Sequence, residues 1–407
     1  MYEVIDKQEI KYADMFALFI NAVLLVDMIR MFTNSTIAVN IVQYGIYISC
    51  ALYGYLQLLY YKKMKIDKKL FWIISITILI SFISYIVCPE VIKAYSYYVA
   101  FFFTRIIPAL YFTIYSNNRK LILTFEKLKK YRFIWLFYAI VGFIWIPLHT
   151  NSWNQYSMTY GYNLLIPFCI VSYCFIRYRK IKWLLYTIIF SVFMLLRGSR
   201  AAVLCLVVFV VLAYIMINKD SLNISKMTKI IILLIAGIFA SINFKTIMSL
   251  LSNIFPSSRT LALLSTNIKF DSGRSNIQSL YWKAIKSHPF RFNGIFSDRI
   301  YYSNVTGHVY NMTNYPHNFI VELFYQWGIL FGGTIFIAII VCIIISLQYG
   351  NKNNRTELLC FILTMFVAGF FKLFFSGSYL VSVEFYLLIG IILYICGKNK
   401  INDKDEI

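Results

Sequence analysis

The chain is poor in acid. Its 407 residues include 17 Asp and Glu against 39 Lys and Arg, and charged residues of either sign make up only 14%. Soluble domains carry roughly 25% charged residues, so a water-facing globule is excluded. Histidine is scarce too, at four. The eight cysteines (Cys50, Cys88, Cys169, Cys174, Cys205, Cys342, Cys360 and Cys396) stand singly, with no Cys-x-x-Cys and no metal-ligand spacing. They read as small buried hydrophobes. No internal repeat is visible, which weighs against a transporter built from repeated halves. Met1–Lys11 is polar and is not a cleavable signal, so the apolar run near Ala13–Met31 is expected to serve as a signal anchor.

What the chain does have is apolar length. It is 60% hydrophobic and 19% aromatic, with a mean hydropathy of +0.69. Runs of 18 or more apolar residues recur, and each can cross a hydrocarbon core of ~30 Å. β-Barrel strands would be ~10 residues long with polar alternation, so a barrel is excluded. The fold class expected is all-α: a single polytopic membrane domain over 1–407. Twelve spans are expected, near 13–31, 37–60, 70–88, 94–115, 132–149, 161–176, 182–197, 200–217, 229–245, 325–347, 357–376 and 378–396.

The basic residues sort by loop. Twenty-five of the 39 Lys and Arg flank spans on one side, among them Lys62, Lys63, Lys65, Lys68 and Lys69, then Arg119 and Lys120, then Lys127, Lys129 and Lys130. The short loops opposite hold Arg30, Lys93, Arg197 and Arg200. Basic loops mark the cytoplasmic side, which puts both termini inside. The net charge of +22 is then explained by topology and anionic lipid, and nucleic acid is not an expected partner.

One stretch, 246–316, is neither span nor short connector, and orientation places it outside. Its spaced basic residues (Arg259, Lys269, Arg274, Lys283, Lys286, Arg291 and Arg299) therefore need another reason, such as an anionic ligand. Three constellations at this side could carry chemistry. Arg197-Gly198-Ser199-Arg200 places two planar cationic forks, suited to phosphate oxygens, beside a turn with free backbone N–H groups. The alternative is two arginines snorkelling to the interface. Ser272-Gly273-Arg274 opens an amphipathic helix with Arg274, Ile277, Tyr281, Ala284, Ile285 and His288 on one face, Trp282 at the interface and Pro289 as its stop. An ordinary surface helix would look the same. Pro316-His317-Asn318-Phe319 starts a late helix with Glu322 four residues after Asn318, offering a proton-transfer group near neutral pH. The alternative is a capping His with Glu322 paired to an Arg. Charges within the spans are Arg105, Lys372 and Glu384, with Asp27 near a helix end; Lys372 and Glu384 lie at similar depth and could pair. Carboxylates on this outer side are few (Glu90, Asp271 and Asp298), without an Asp-x-Asp, so a metal is not expected.

In order and spacing, Ser199-Arg200, Gly273-Arg274, Trp282, His288-Pro289, Gly294 and His317-Asn318 with Gly328 resemble motifs of the O-antigen and capsular polysaccharide polymerases and the related O-antigen ligases. The motifs cover 197–333. One departure is Phe292-Asn293-Gly294, where that family often shows a second nearby glycine. The resemblance implies a GT-C-like architecture and a metal-independent glycosyltransferase with no cofactor. Its donor and acceptor would be undecaprenyl-diphosphate-linked glycans drawn from membrane lipid, and a chain-length regulator and a flippase would be its partners. On this resemblance Arg200 and Arg274 bind diphosphate with Arg197 in support. His317 is the base or positions the acceptor, and Glu322 is the alternative base. Arg291, Asn318, Arg105 and Trp282 are expected to bind substrate. An O-antigen ligase or a lipid-linked oligosaccharide flippase remains the alternative.

Overall fold

The structure is a computed structural model. It describes residues 7–33, 35–61, 68–150, 157–197, 199–217, 249–250, 252–254, 274–352 and 356–405, which are helical or connecting, with no strand among them. In chain order the helices are α1 (Lys7–Phe32), α2 (Thr36–Tyr61), α3 (Lys68–Val87), α4 (Ile92–Phe101), α5 (Ile107–Ile114), α6 (Asn118–Lys130), α7 (Arg132–Thr150), α8 (Met158–Asn163), α9 (Leu165–Tyr178), α10 (Ile181–Arg197) and α11 (Arg200–Ile217). After the undescribed stretch come α12 (Arg274–Ser287), α13 (Ser297–Thr306), α14 (Phe319–Lys352), α15 (Thr356–Met365) and α16 (Val383–Asp405).

Seven described helical segments are long and apolar enough to cross a membrane: Lys7–Phe32, Thr36–Gln57, Lys68–Val87, Pro89–Ile114, Met158–Tyr178, Phe319–Asn351 and Thr356–Phe374. Shorter apolar helices cover Arg132–Trp145, Ala201–Ile217 and Val383–Gly397. The chain is thus a polytopic helical membrane protein. The expected span at 229–245 lies outside the described residues. Several expected boundaries shift. The spans expected from 13, 94 and 325 start at Lys7, Pro89 and Phe319, and the one expected from 378 starts at Val383, because residues 375–382 form an irregular turn. The exposed faces agree with a lipid surround. Only 11% of the α3 window is buried, and its outward residues are Phe71, Trp72, Ile76, Leu79, Phe82 and Ile86. Such a surface is stable against hydrocarbon and would aggregate in water.

The chain divides into two compact units. The first comprises Met1–Ala22, Asn40–Phe125 and Ser272–Ile407. Its centre is the packing of α5 on α16, the most extensive helix pair. Gly390 permits it, since a Cβ there would collide with Thr113 Oγ1. Phe16 stacks on Phe112 with ring centroids 5.0 Å apart, and Tyr12 donates to Phe112 O at 2.7 Å. The span from Pro89 is not one regular helix. Pro108 cannot donate to the helix ladder, and the chain widens just before it into a π-turn, Phe102–Ile106, where Ile107 N–H reaches back to Phe102 O.

This unit has two chemically different ends. At one, Glu9 pairs with Arg119 at 3.1 Å, Tyr394 OH donates to Asn118 Oδ1 at 3.0 Å, and Asn118 Nδ2 donates to Tyr349 OH at 2.9 Å. Lys68 and Lys69 start α3 there, since Lys69 Nζ lies near Gly397 of α16. At the other end α3 stops, and Ser84 Oγ accepts from Ile295 N–H at 3.0 Å, which docks the segment 274–318 onto the bundle.

The second unit comprises Val23–Val39 and Glu126–Asp271. Its core is α9, where Leu165, Phe168, Cys169, Val171, Tyr173 and Cys174 are fully buried. Asp27 accepts from Tyr138 OH at 2.6 Å and from Asn163 Nδ2 at 3.1 Å, so its carboxylate is satisfied by neutral donors.

Candidate functional site

The site of interest lies at the loop-bearing end of the first unit. Its local folding follows the sequence closely. Helix α12 buries Tyr281 and Ile285 against Val321 and Tyr325, with Ile277, Ala284 and Trp282 packed around them. The helix stops at Ser287, two residues before Pro289, because the residue before a proline avoids helical backbone. His288, expected on the apolar face, instead falls past the helix end and is exposed.

The turn that follows locks onto α14. Asn293 N–H and Gly294 N–H both donate to Gln326 O, at 3.0 and 3.2 Å, and Ile329 N–H donates to Pro289 O at 2.7 Å. These bonds exist because α14 breaks at Gly328, whose φ of 73° is left-handed. A Cβ on Gly328 would stand 2.9 Å from the Phe290 carbonyl carbon, so both the backbone angle and the close approach require glycine.

Helix α13 then carries Asp298 and Arg299 into a closed polar cluster. Both side chains, and that of Glu322, are 0% exposed. Arg299 Nη1 donates to Asp298 Oδ2 at 2.5 Å and to Glu322 Oε1 at 2.8 Å, while Nη2 donates to Ser378 Oγ at 2.6 Å. Ser378 Oγ donates onward to Glu322 Oε1 at 2.5 Å. Asp298 Oδ1 accepts from Gln326 Nε2 at 2.7 Å, Gln326 Oε1 accepts from Tyr379 OH at 2.6 Å, and Tyr379 OH accepts from Trp327 Nε1 at 3.0 Å. Tyr281 OH closes the far side by donating to Asp298 O at 2.9 Å. Burial works against the Arg299 charge, but Asp298 and Glu322 outweigh it and hold the guanidinium above its ordinary range. The arrangement is therefore an ion triad with hydrogen-bonded flanks, the condition under which a buried charge is tolerated.

His317 stands beside this cluster. Its φ of 55° is left-handed, a conformation that non-glycine residues adopt rarely and that concentrates at functional positions. Asn318, not His317, caps α14. Its Oδ1 accepts from Val321 N–H at 3.2 Å and its Nδ2 donates to Phe374 O at 3.2 Å. The His317 ring lies 4.2 Å from the Tyr315 ring, which in turn lies 5.3 Å from the Arg299 guanidinium. Arg274 Nη1 donates to Phe375 O at 2.5 Å, one residue from the Asn318 contact. Burial, then the positive charges of Arg274 and Arg299, lower the His317 pKa to about 4. The imidazole is neutral at physiological pH. Among the described residues its buried Nδ1 has no hydrogen-bond partner, and neither do Arg299 Nε and Glu322 Oε2. Buried polar atoms left unused are rare and mark places where a ligand or a proton can be received.

Of the nine site residues expected from the sequence, the structure gathers four: Arg274, His317, Asn318 and Glu322. Glu322 is also paired to an arginine, Arg299, as the alternative reading had it. Trp282 packs edge-on against Phe324, with centroids 6.2 Å apart, beside the cluster that α12 buries. Arg291 is exposed and lines a separate cleft of about 470 Å³. Arg105 lies within the π-turn, with its guanidinium 4.4 Å from the Tyr47 ring centre and 4.8 Å from that of Phe101. Lys372 pairs with Glu384 at 3.4 Å, as their depth suggested. Arg197 and Arg200 belong to the second unit. Arg197 ends α10, 2% exposed, with its guanidinium 5.0 Å from the Phe143 ring centre. Ser199 caps α11 by accepting from Ala202 N–H at 3.2 Å, Arg200 opens that helix, and the Arg200 side chain and Gly198 lie outside the described residues.

Sequence reasoning missed Asp298, Gln326, Ser378 and Tyr379. Two signals were available: adjacent opposite charges at Asp298-Arg299 in an acid-poor chain, and Glu322 and Gln326 four apart on one helix face. Among the described residues no three His, Cys, Asp or Glu side chains group as a metal site. Comparison with protein-family models, with curated proteins and with solved structures finds no match to this chain.

Proposed function

We propose that the chain is a glycan polymerase of the bacterial cytoplasmic membrane. In this reading it has a twelve-span, GT-C-like architecture with both termini in the cytoplasm. It transfers a growing glycan from undecaprenyl diphosphate onto the next lipid-linked repeat unit at the outer face. The observation that carries the reading is His317, a neutral imidazole whose buried Nδ1 is unused among the described residues and which lies within the electrostatic reach of Arg274. The two ends of the first unit support the orientation, since Lys68, Lys69, Arg119 and Lys120 sit opposite the His317 end and basic ends face the cytoplasm.

In the reaction, an acceptor hydroxyl attacks the anomeric carbon of the donor. The bond from that carbon to the diphosphate oxygen breaks, and the bonding pair leaves with the diphosphate. Arg274 stabilises the charge that develops there, which a preorganised cation does best in a dry site. His317 Nδ1 takes the hydroxyl proton as the new glycosidic bond forms. The Asp298–Arg299–Glu322 triad fixes the wall against which Tyr315 and His317 rest, so its role is positioning.

The test is glycan length in a strain deleted for the gene and complemented with variants. Arg274→Ala and His317→Ala should leave single repeat units, with His317→Asn as a control that tolerates the left-handed backbone. Full-length polymer from both alanine variants, at normal protein levels, would overturn the assignment. Full-length polymer that is made but never attached to its lipid acceptor would indicate the ligase reaction instead.

A further inference from the structure

Helix α13 has a second face. Ser297, Ile300, Tyr301 and Asn304, spaced to share one side of the helix, turn away from the buried triad and line the cleft of about 470 Å³. The opposite wall is the end of α12 and the turn after it, which supplies Lys283, His288 and Arg291. Its volume falls within the ~300–1,000 Å³ typical of small-ligand pockets.

Three features of this cleft point to one ligand chemistry. First, no carboxylate among the described residues pairs with its cations. Lys283 and Arg291 form no ion pair among the described residues; Glu90 pairs with Lys93, and Asp298 with Arg299. In a chain with 17 carboxylates in all, an uncompensated basic cluster around a concave surface favours an anionic guest. Second, the scaffold is rigid. Arg291 lies in the turn fixed to the α14 break by Pro289 O, Asn293 N–H and Gly294 N–H, so its guanidinium is presented from a held backbone. Third, the floor combines the rings of Tyr301 and Tyr325 with the amides of Asn293 and Asn304. Flat apolar faces beside amide groups suit the C–H faces and hydroxyls of a sugar ring, and a bare inorganic anion has no use for them.

We propose that this cleft is a binding site for an acidic sugar, in which Lys283 and Arg291 hold the carboxylate of a glycan residue while Tyr301 and Asn304 take the ring. The proposal rests on the polymerase reading for its biological ligand, and it adds that the repeat unit is acidic and is gripped apart from the reacting bond. It concerns binding only; no covalent step occurs in the cleft.

The experiment uses the full chain in phosphatidylcholine nanodiscs. Binding of trigalacturonate, maltotriose and inorganic phosphate is measured calorimetrically at low and high salt. Trigalacturonate should bind in a salt-sensitive way, the neutral maltotriose at least tenfold more weakly, and phosphate without displacing trigalacturonate efficiently. Lys283→Ala/Arg291→Ala should weaken trigalacturonate at least tenfold with an unchanged unfolding midpoint, and Lys283→Arg/Arg291→Lys should restore most of the binding. Arg274→Ala should bind trigalacturonate as the parent does. Equal binding of trigalacturonate to the parent and the double alanine variant overturns the proposal. So does maltotriose binding as tightly, or phosphate competing as well as the sugar acid. Failure of the polymerase reading is distinguishable, because that shows as normal glycan length with Arg274→Ala and His317→Ala, whatever the cleft binds.

Discussion

One short helix separates two opposite solutions to the problem of charge beside a membrane. On the inner face of α13, Arg299 is fully buried, touches two carboxylates and a hydroxyl, and is held charged by them. The outer face of α13 borders a cleft whose opposite wall carries Lys283 and Arg291, which have no ionic partner among the described residues. The difference separates structural arginines from available ones in a chain where both occur in the same loop. A cation enclosed by acids has little attraction left for a ligand, whereas a cation without a partner keeps it. Spacing within the loop does not reveal which is which; burial and the neighbouring carboxylates do.

The sharpest way to break this comparison is to remove Arg299. Arg299→Ala leaves Asp298 and Glu322 buried together without their counter-ion, a change that typically destabilises by ~3–5 kcal/mol. Arg299→Ala should therefore unfold well below the parent in a detergent thermal melt, or fail to accumulate. Lys283→Ala and Arg291→Ala, which strip no buried partner, should melt with the parent. Equal midpoints for Arg299→Ala and the parent would mean that the triad is not a structural element.

The attachment of the turn 289–294 to α14 is tested by Gly328→Ala. The substitution strains a φ of 73° and pushes a Cβ to 2.9 Å from the Phe290 carbonyl carbon. Strain of this kind costs about 1–3 kcal/mol. The relief available is to release the turn 289–294, so trigalacturonate affinity should fall along with the melting point. A loss of stability with unaltered binding would show that the turn does not position Arg291.

Much of this architecture is legible in the sequence because it is local. Apolar length predicts the spans, the periodicity of Ile277, Tyr281, Ala284 and Ile285 predicts α12 and its buried face, and Pro289 predicts its end. Asn318 and Glu322 are found on one face of a late helix for the same reason. The triad is not legible, because Arg299, Glu322 and Ser378 are joined across 23 and 79 residues and no short pattern encodes their meeting. The left-handed angle at Phe296 is likewise not legible, since a bulky aromatic residue adopts it rarely. The Gly328 break could be read only as a glycine, without its direction.

The smallest expected effect separates the two faces by proton rather than by fold. His317 belongs to the buried side, and its pKa of about 4 lies below the ordinary value near 6.5. A base with a depressed folded-state pKa stabilises the fold fully above its unfolded value. Between pH about 6.5 and about 4 the unfolded chain takes up a proton that the folded chain refuses, so stability falls as the pH falls through this window. His317→Asn should flatten that fall. Under the proposed function the same imidazole would set the acid limb of transfer: activity should persist below pH 6 and decline only towards pH 4. An acid limb centred near pH 6.5 would show instead that His317 titrates like an exposed histidine, free of the field of Arg274 and Arg299.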